Sequence, residues 1–156
     1  MIVLGTLAGP VALVLGGVLW LRLRYLVVTV EGESMLPAYR PGDRVLVRRA
    51  SLRGLRAGQV VVLSRAAGPS EDAGAHWIIK RLAAVPGDPV PRERVPALRD
   101  APGTRVPDGH LVVLGDNPRR SYDSRRAGYL TADRLLGVVL RKVEPFSGRR
   151  RDIVVR

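Results

Sequence analysis

From Ile2 to Leu21 the chain carries no charged side chain. About 20 apolar residues wound as a helix cross the ~30 Å hydrocarbon core of a bilayer, so this run constrains the chain more than any other feature. Gly5, Gly9, Pro10, Gly16 and Gly17 interrupt it, and membrane helices tolerate such residues better than soluble ones do. Trp20 and Tyr25 stand at its far end, where amphipathic rings favour the interface. A cleaved signal peptide fits less well: no basic segment precedes the run, the run is long, and no small-x-small site follows it. The expectation is an anchor over residues 1–24 and one further domain over residues 25–156. Arg22 and Arg24 follow the span, and the positive-inside rule by itself would keep that domain in the cytoplasm.

The remaining length suffices for one packed domain. Apolar residues are 46% of the 156-residue chain and charged residues 26%, which is incompatible with global disorder. Cysteine is absent, so disulfides, a cysteine nucleophile and a zinc ribbon are excluded. Only His76 and His110 are histidine, and aromatics are 4%. That disfavours both a multi-histidine metal site and a base-stacking nucleic-acid platform. The net charge is +12, yet of the 26 lysines and arginines only Lys80 and Lys142 are lysine. In so arginine-rich a chain each lysine merits scrutiny, because a buried lysine loses its proton far more readily than arginine does.

After Arg24 the pattern becomes short apolar runs cut by Gly and Pro. Strands are predicted at Tyr25–Val30, Asp43–Val47, Gln59–Leu63, Trp77–Val85, His110–Leu114 and Leu135–Val143. No long 3.6-residue period occurs among them, so the domain reads as mainly β. Ala66–Ala75 and the proline-rich Pro86–Asp108 read as loops, the latter a surface excursion. The tail from Ser147 to Arg156 is basic, with a short apolar Ile153-Val154-Val155.

Three segments carry chemistry. In Glu31-Gly32-Glu33-Ser34-Met35-Leu36-Pro37, a serine sits in a tight turn just after a strand, with its hydroxyl expected to be exposed. A serine nucleophile needs a base. His76 and His110 are candidates, and so is Lys80, which lies in a strand otherwise apolar except for Arg81. Alternation puts Lys80 on the face of Ile78 and Leu82, opposite Arg81. Lost hydration there favours the neutral amine, which accepts a hydroxyl proton; the plain alternative is a lysine reaching out to solvent at a sheet edge. The third segment is Gly115-Asp116-Asn117 followed by Ser121-Tyr122-Asp123-Ser124-Arg125. Its charges either pin a loop or serve a site, and Ser121 or Ser124 is placed to meet the Lys80 amine.

Together, G-x-S-M-x-P, I-K-R-x-x-A-x-P-G-D and G-D-N-x-x-x-S-x-D-S-R-x-x-G, in this order behind an apolar span, resemble the type I signal peptidases, membrane-anchored Ser/Lys proteases. The resemblance runs from Ile2 to about Val139. It implies a mainly antiparallel, barrel-like β fold, with Ser34 as nucleophile and Lys80 as general base. It further implies that the Ser34 backbone N–H belongs to the oxyanion hole, that Ser121 orients the amine, that Asp116 pairs with Arg81, and that Asp123 and Arg125 brace the site. Gly32 stands where one branch of the family has a second serine, so the chain resembles the compact Gram-positive branch. Pro118-Arg119-Arg120 and Ala38 depart from the usual pattern, and only 34 residues separate Lys80 from Gly115, too few for a large inserted cap.

The expected function is therefore cleavage of signal peptides from exported precursors after small-x-small sequences, with no metal or organic cofactor. The substrate would lie extended along strand edges near Thr29–Gly32 and Trp77–Ile79. The expected location is the cell membrane, single-pass, with the catalytic domain outside the cytoplasm despite Arg22 and Arg24, because signal peptides are cut there. Expected partners are the precursors and an anionic bilayer, not nucleic acid. Other readings are a protease dedicated to one exported substrate, a self-cleaving Ser/Lys repressor, and a non-enzymatic basic membrane protein.

Overall fold

The structure is a computed structural model that describes residues 5–64, 77–143 and 153–155, with residues 5–8, 10 and 153–155 described in backbone only. Helix α1 (Gly5–Arg24) passes directly into strand β1 (Tyr25–Val30). The apolar side chains Val11, Leu13, Val14, Leu15, Val18, Leu19, Leu21 and Leu23 are all exposed. They point to every side, so α1 has no single apolar stripe to lay on a core. The Arg24 guanidinium lies over the Trp20 ring at 5.6 Å. Among the described residues no helix is long and apolar enough to cross a membrane, and residues 1–4 of the expected span fall outside that set.

The rest is a curled sheet. Its strands are β1, β2 (Arg44–Arg49), β3 (Val60–Ser64), β4 (Trp77–Ala84), β5 (His110–Leu114), β6 (Leu130–Thr131), β7 (Leu135–Val143) and β8 (Ile153–Val155), with a one-turn helix α2 (Ser124–Ala127) before β6. The order is β3-β7-β2-β1-β8-β4-β5-β6, and β3 also pairs with β4. That extra pairing closes six strands into a barrel-like ring, with β5 and β6 extending beyond β4. All pairs are antiparallel except those of β8, which runs parallel to both β1 and β4.

Side-chain alternation divides the interior into two cores. Val60 and Val62 of β3 face a cluster with Val28, Val30, Met35, Val45 and Ile79. Val61 and Leu63 face the other, with Leu82, Leu111 and Val113. Each fully buried side chain of this size contributes about 1.5–3 kcal/mol of transfer free energy, so a strand buried on both faces anchors the fold.

The predicted strands are present with shifts of one or two residues, and Tyr25–Val30, His110–Leu114 and Leu135–Val143 match at both ends. Residues 86–108 differ from the expected surface excursion. Val90, Val95, Leu98 and Val106 pack on Val112 and Leu114 as a third small core. Arg92 donates to the carbonyls of Arg99, Ala101 and Gly103, satisfying backbone acceptors where prolines prevent regular pairing. The expected loop Ala66–Ala75 and most of the basic tail lie outside the described residues.

Candidate active site

The site forms where the turn after β1 meets the middle of β4. After Val30 the chain turns through Glu33–Leu36, closed by the Leu36 N–H donating to the Glu33 carbonyl at 3.2 Å. Met35 is wholly buried in the first core and draws the turn inward. Ser34 is consequently only 5% exposed, less open than a turn position alone implies, and what remains accessible faces the cleft that opens above it. Lys80 is 3% exposed on β4. As alternation predicts, its neighbours Ile78 and Leu82 pack in the second core. The Lys80 amine donates to Ser34 Oγ at 2.8 Å, across 46 residues of sequence.

Arg81, next along β4, turns to the other face. Its guanidinium grips Asp116 through two bonds, at 2.8 and 2.6 Å, and reaches the Gly58 carbonyl at 2.9 Å. The hydrogen-bonded Asp116 carboxylate holds the guanidinium in its charged form, above its ordinary pKa. The two side chains keep 37% and 20% of their surface, so this pair borders the site at the domain surface.

Asp116 belongs to the turn after β5, and the residues around it bind that turn to Ser34. A Cβ at Gly115 would collide with the Ser121 side chain and lie 2.6 Å from the Ser34 carbonyl oxygen; glycine is what permits this approach. Asp123 collects the loop. Its carboxylate accepts from the Gly115 N–H at 2.8 Å, the Ser121 hydroxyl at 2.6 Å, the Arg125 N–H at 3.0 Å and the Arg125 guanidinium at 2.8 Å. Arg125 also donates to the Gly115 carbonyl, and Ser124 accepts from the Val113 N–H at 2.9 Å. The Ser121 hydroxyl proton is thus directed to Asp123.

Ser34, Lys80, Ser121, Asp123 and Arg125 therefore come together, with Arg81 and Asp116 alongside. His110 does not join them. Its ring packs edge-on against Tyr129, and Nδ1 lies 2.9 Å from the Asp108 carbonyl. His76 lies outside the described residues. Sequence reasoning missed Asn117, whose backbone N–H donates to the Ser34 carbonyl at 2.9 Å and whose side-chain amide donates to the Glu33 carbonyl at 3.2 Å. Its only signal was its place in G-D-N. Above the pair opens a cleft of about 490 Å³, with Gly32, Ile78, Val113 and Leu130 in its walls and Arg120 and Arg134 also lining it.

A serine hydroxyl bonded to a buried amine in an open cleft is an arrangement suited to acyl transfer by a serine hydrolase. The chain belongs to the signal peptidase family, peptidase S26, whose family model matches residues 4–97 and 92–143. It is accordingly a serine peptidase of the signal peptidase class, and the non-enzymatic reading falls away. No curated protein matches the chain.

Proposed function

We propose that this chain is a membrane-anchored endopeptidase that removes signal peptides from exported precursors with a Ser34/Lys80 dyad, cutting after small-x-small sequences. The observation that carries the reading is the 2.8 Å contact between the Lys80 amine and Ser34 Oγ, with both residues almost wholly buried. At that separation a neutral amine takes the hydroxyl proton as Oγ attacks the scissile carbonyl. The Ser34 N–H stabilises the developing oxyanion. The amine then passes its proton to the departing amine of the mature protein, leaving an acyl-enzyme on Ser34. Water, deprotonated by the same amine, releases the signal peptide and restores the serine. Asp123 and Arg125 hold the loop carrying Ser121 against the dyad, and Asp116 holds Arg81.

In this reading α1, with residues 1–4, forms the anchor over residues 1–24, and residues 25–156 form the catalytic domain outside the cytoplasm. Its support is the uncharged run Ile2–Leu21 and the exposure of α1 side chains in all directions. Arg22 and Arg24 would then meet anionic head groups. The substrate lies extended beside Thr29–Gly32 and Trp77–Ile79, and Gly32 and Ile78 line the cleft at those edges.

The test is Lys80→Arg beside Ser34→Ala, assayed on a small-x-small precursor with folded full-length protein in detergent. Arginine keeps the charge and approximate length but stays protonated in proteins and does not accept the serine proton. Both variants are expected to be inactive. Activity of Lys80→Arg within a few-fold of wild type removes Lys80 from the mechanism.

A further inference from the structure

Asn117 holds both peptide planes that flank the nucleophile. Its side-chain amide donates to the Glu33 carbonyl, and its backbone N–H donates to the Ser34 carbonyl. A peptide unit is planar and trans, so its C=O and N–H point in opposite directions. The Glu33 carbonyl and the Ser34 N–H share one such unit. Drawing that carbonyl toward Asn117 aims the Ser34 N–H away from it. The Leu36 N–H also reaches the Glu33 carbonyl, at the same 3.2 Å, but that bond lies within the turn and moves with it. Asn117 is carried by a different element, the turn after β5, and so references the plane to the rest of the domain.

We propose that Asn117 is a positioning residue that keeps the Ser34 N–H directed at the developing oxyanion. The proposal rests on Ser34 being the nucleophile. A donor that rotates out of line is lost mainly in the transition state, since the charge it serves is fully developed only there. Removing an oxyanion donor outright costs about 100–1,000-fold in kcat; loosening its plane is expected to cost about 10–50-fold. Asn117→Ala deletes the side-chain donor. Asn117→Asp keeps the shape but sets a carboxylate against the Glu33 carbonyl. For both, kcat should fall with KM within twofold, affinity for a peptide boronate should fall in parallel, and the melting temperature should stay within about 4 °C of wild type. Unchanged kcat in both variants, or activity lost only together with the fold, overturns the proposal. Ser34→Ala measured alongside separates the two ideas, because an active Ser34→Ala protein would defeat the dyad itself.

A second observation concerns β8. Ile153, Val154 and Val155 pair in parallel with Val28, Thr29 and Val30, and Val155 also pairs with Trp77. These are the two edges at which the proposed function seats its substrate. The paired segment runs in the same direction as β1 and β4, toward Ser34 and Lys80. Its last paired residue stands level with Val30 and Trp77, short of both dyad residues, so it brings no peptide bond to Ser34 Oγ. We infer that the segment 153–155 occupies the upstream part of the substrate groove and competes with precursors for it. Tethering gives such a segment an effective concentration in the millimolar range, enough for a few-residue strand to compete.

The test uses the full chain carrying Val154→Pro or Val155→Pro. Proline removes a ladder N–H, and adjacent residues of a strand address opposite neighbours. At least one variant should lower KM for a precursor peptide threefold or more with kcat unchanged. KM unchanged in both overturns the inference. Loss of activity with loss of fold in both would make β8 a structural strand of the barrel and overturn it equally. Inactive Ser34→Ala with unchanged KM in the proline variants would leave the dyad standing and remove only this inference.

Discussion

Replacing Asp123 by alanine removes the acceptor for four hydrogen bonds at once. The Asp123 side chain is 1% exposed and that of Arg125 27%. The guanidinium therefore recovers part of its hydration, while the Gly115 N–H and the Ser121 hydroxyl, in a residue 8% exposed, recover little. A buried neutral donor left without a partner costs about 1–3 kcal/mol, and loss of one member of a deeply buried ion pair about 3–5 kcal/mol. These are not additive, because the loop relaxes after the first bond is lost. The backbone bond to Arg125, which caps the start of α2, lies within the same total. The expected cost is about 3–4 kcal/mol, equivalent to about 10 °C in melting temperature for a chain of this size. Asp123→Asn should be nearly as damaging. One oxygen accepts from three donors and the other from the Arg125 N–H, so either orientation of the amide points its NH2 at a donor. Thermal unfolding followed by circular dichroism on the full chain in detergent measures the loss. Precursor cleavage should fall as well, because Gly115 and Ser121 lean on the Ser34 turn. A melting point within 2 °C of wild type for the alanine variant would refute the reasoning, and would mean that apolar packing alone carries this loop.

Asp116→Ala should be much milder, about 1 kcal/mol, because its arginine partner is 37% exposed and screened by water; a loss matching that of Asp123→Ala in the same melts would contradict this. Asp43 lies below the usual carboxylate range, chiefly through the Arg40 N–H and then through Lys142. A lowered folded pKa stabilises the fold above the unfolded value of about 4, and the contribution is lost as pH falls through the folded pKa. Lys142→Met should therefore lower the melting point at pH 6 and converge on wild type toward pH 2, and a gap that does not narrow with acid would refute the pairing. Protease added to intact spheroplasts should digest residues 25–156, whereas protection until lysis would place the domain in the cytoplasm, as Arg22 and Arg24 alone suggest.

What the residues determine locally was legible in the sequence. Tyr25–Val30 and Leu135–Val143 announce themselves as strands because short runs rich in Val and Leu, cut by turn residues, are written within a few positions. Alternation along Trp77–Val85 puts Lys80 and Arg81 on opposite faces from the sequence alone. The three blocks around Ser34, Lys80 and Gly115 were readable because each is a short fixed order of residues. Other features belong to the tertiary structure alone. The burial of Ser34 depends on Met35 entering a core to which β2, β3, β4 and β7 contribute beside β1, and no short window around the serine contains those later strands. Asn117 reaches the Glu33 and Ser34 carbonyls across more than 80 residues of sequence, and its type does not specify that partner. The parallel seat of Ile153–Val155 between β1 and β4 is decided in the same way. A strand's own sequence states which side chains face inward, but which edge it joins depends on which distant edges the rest of the sheet has left unpaired.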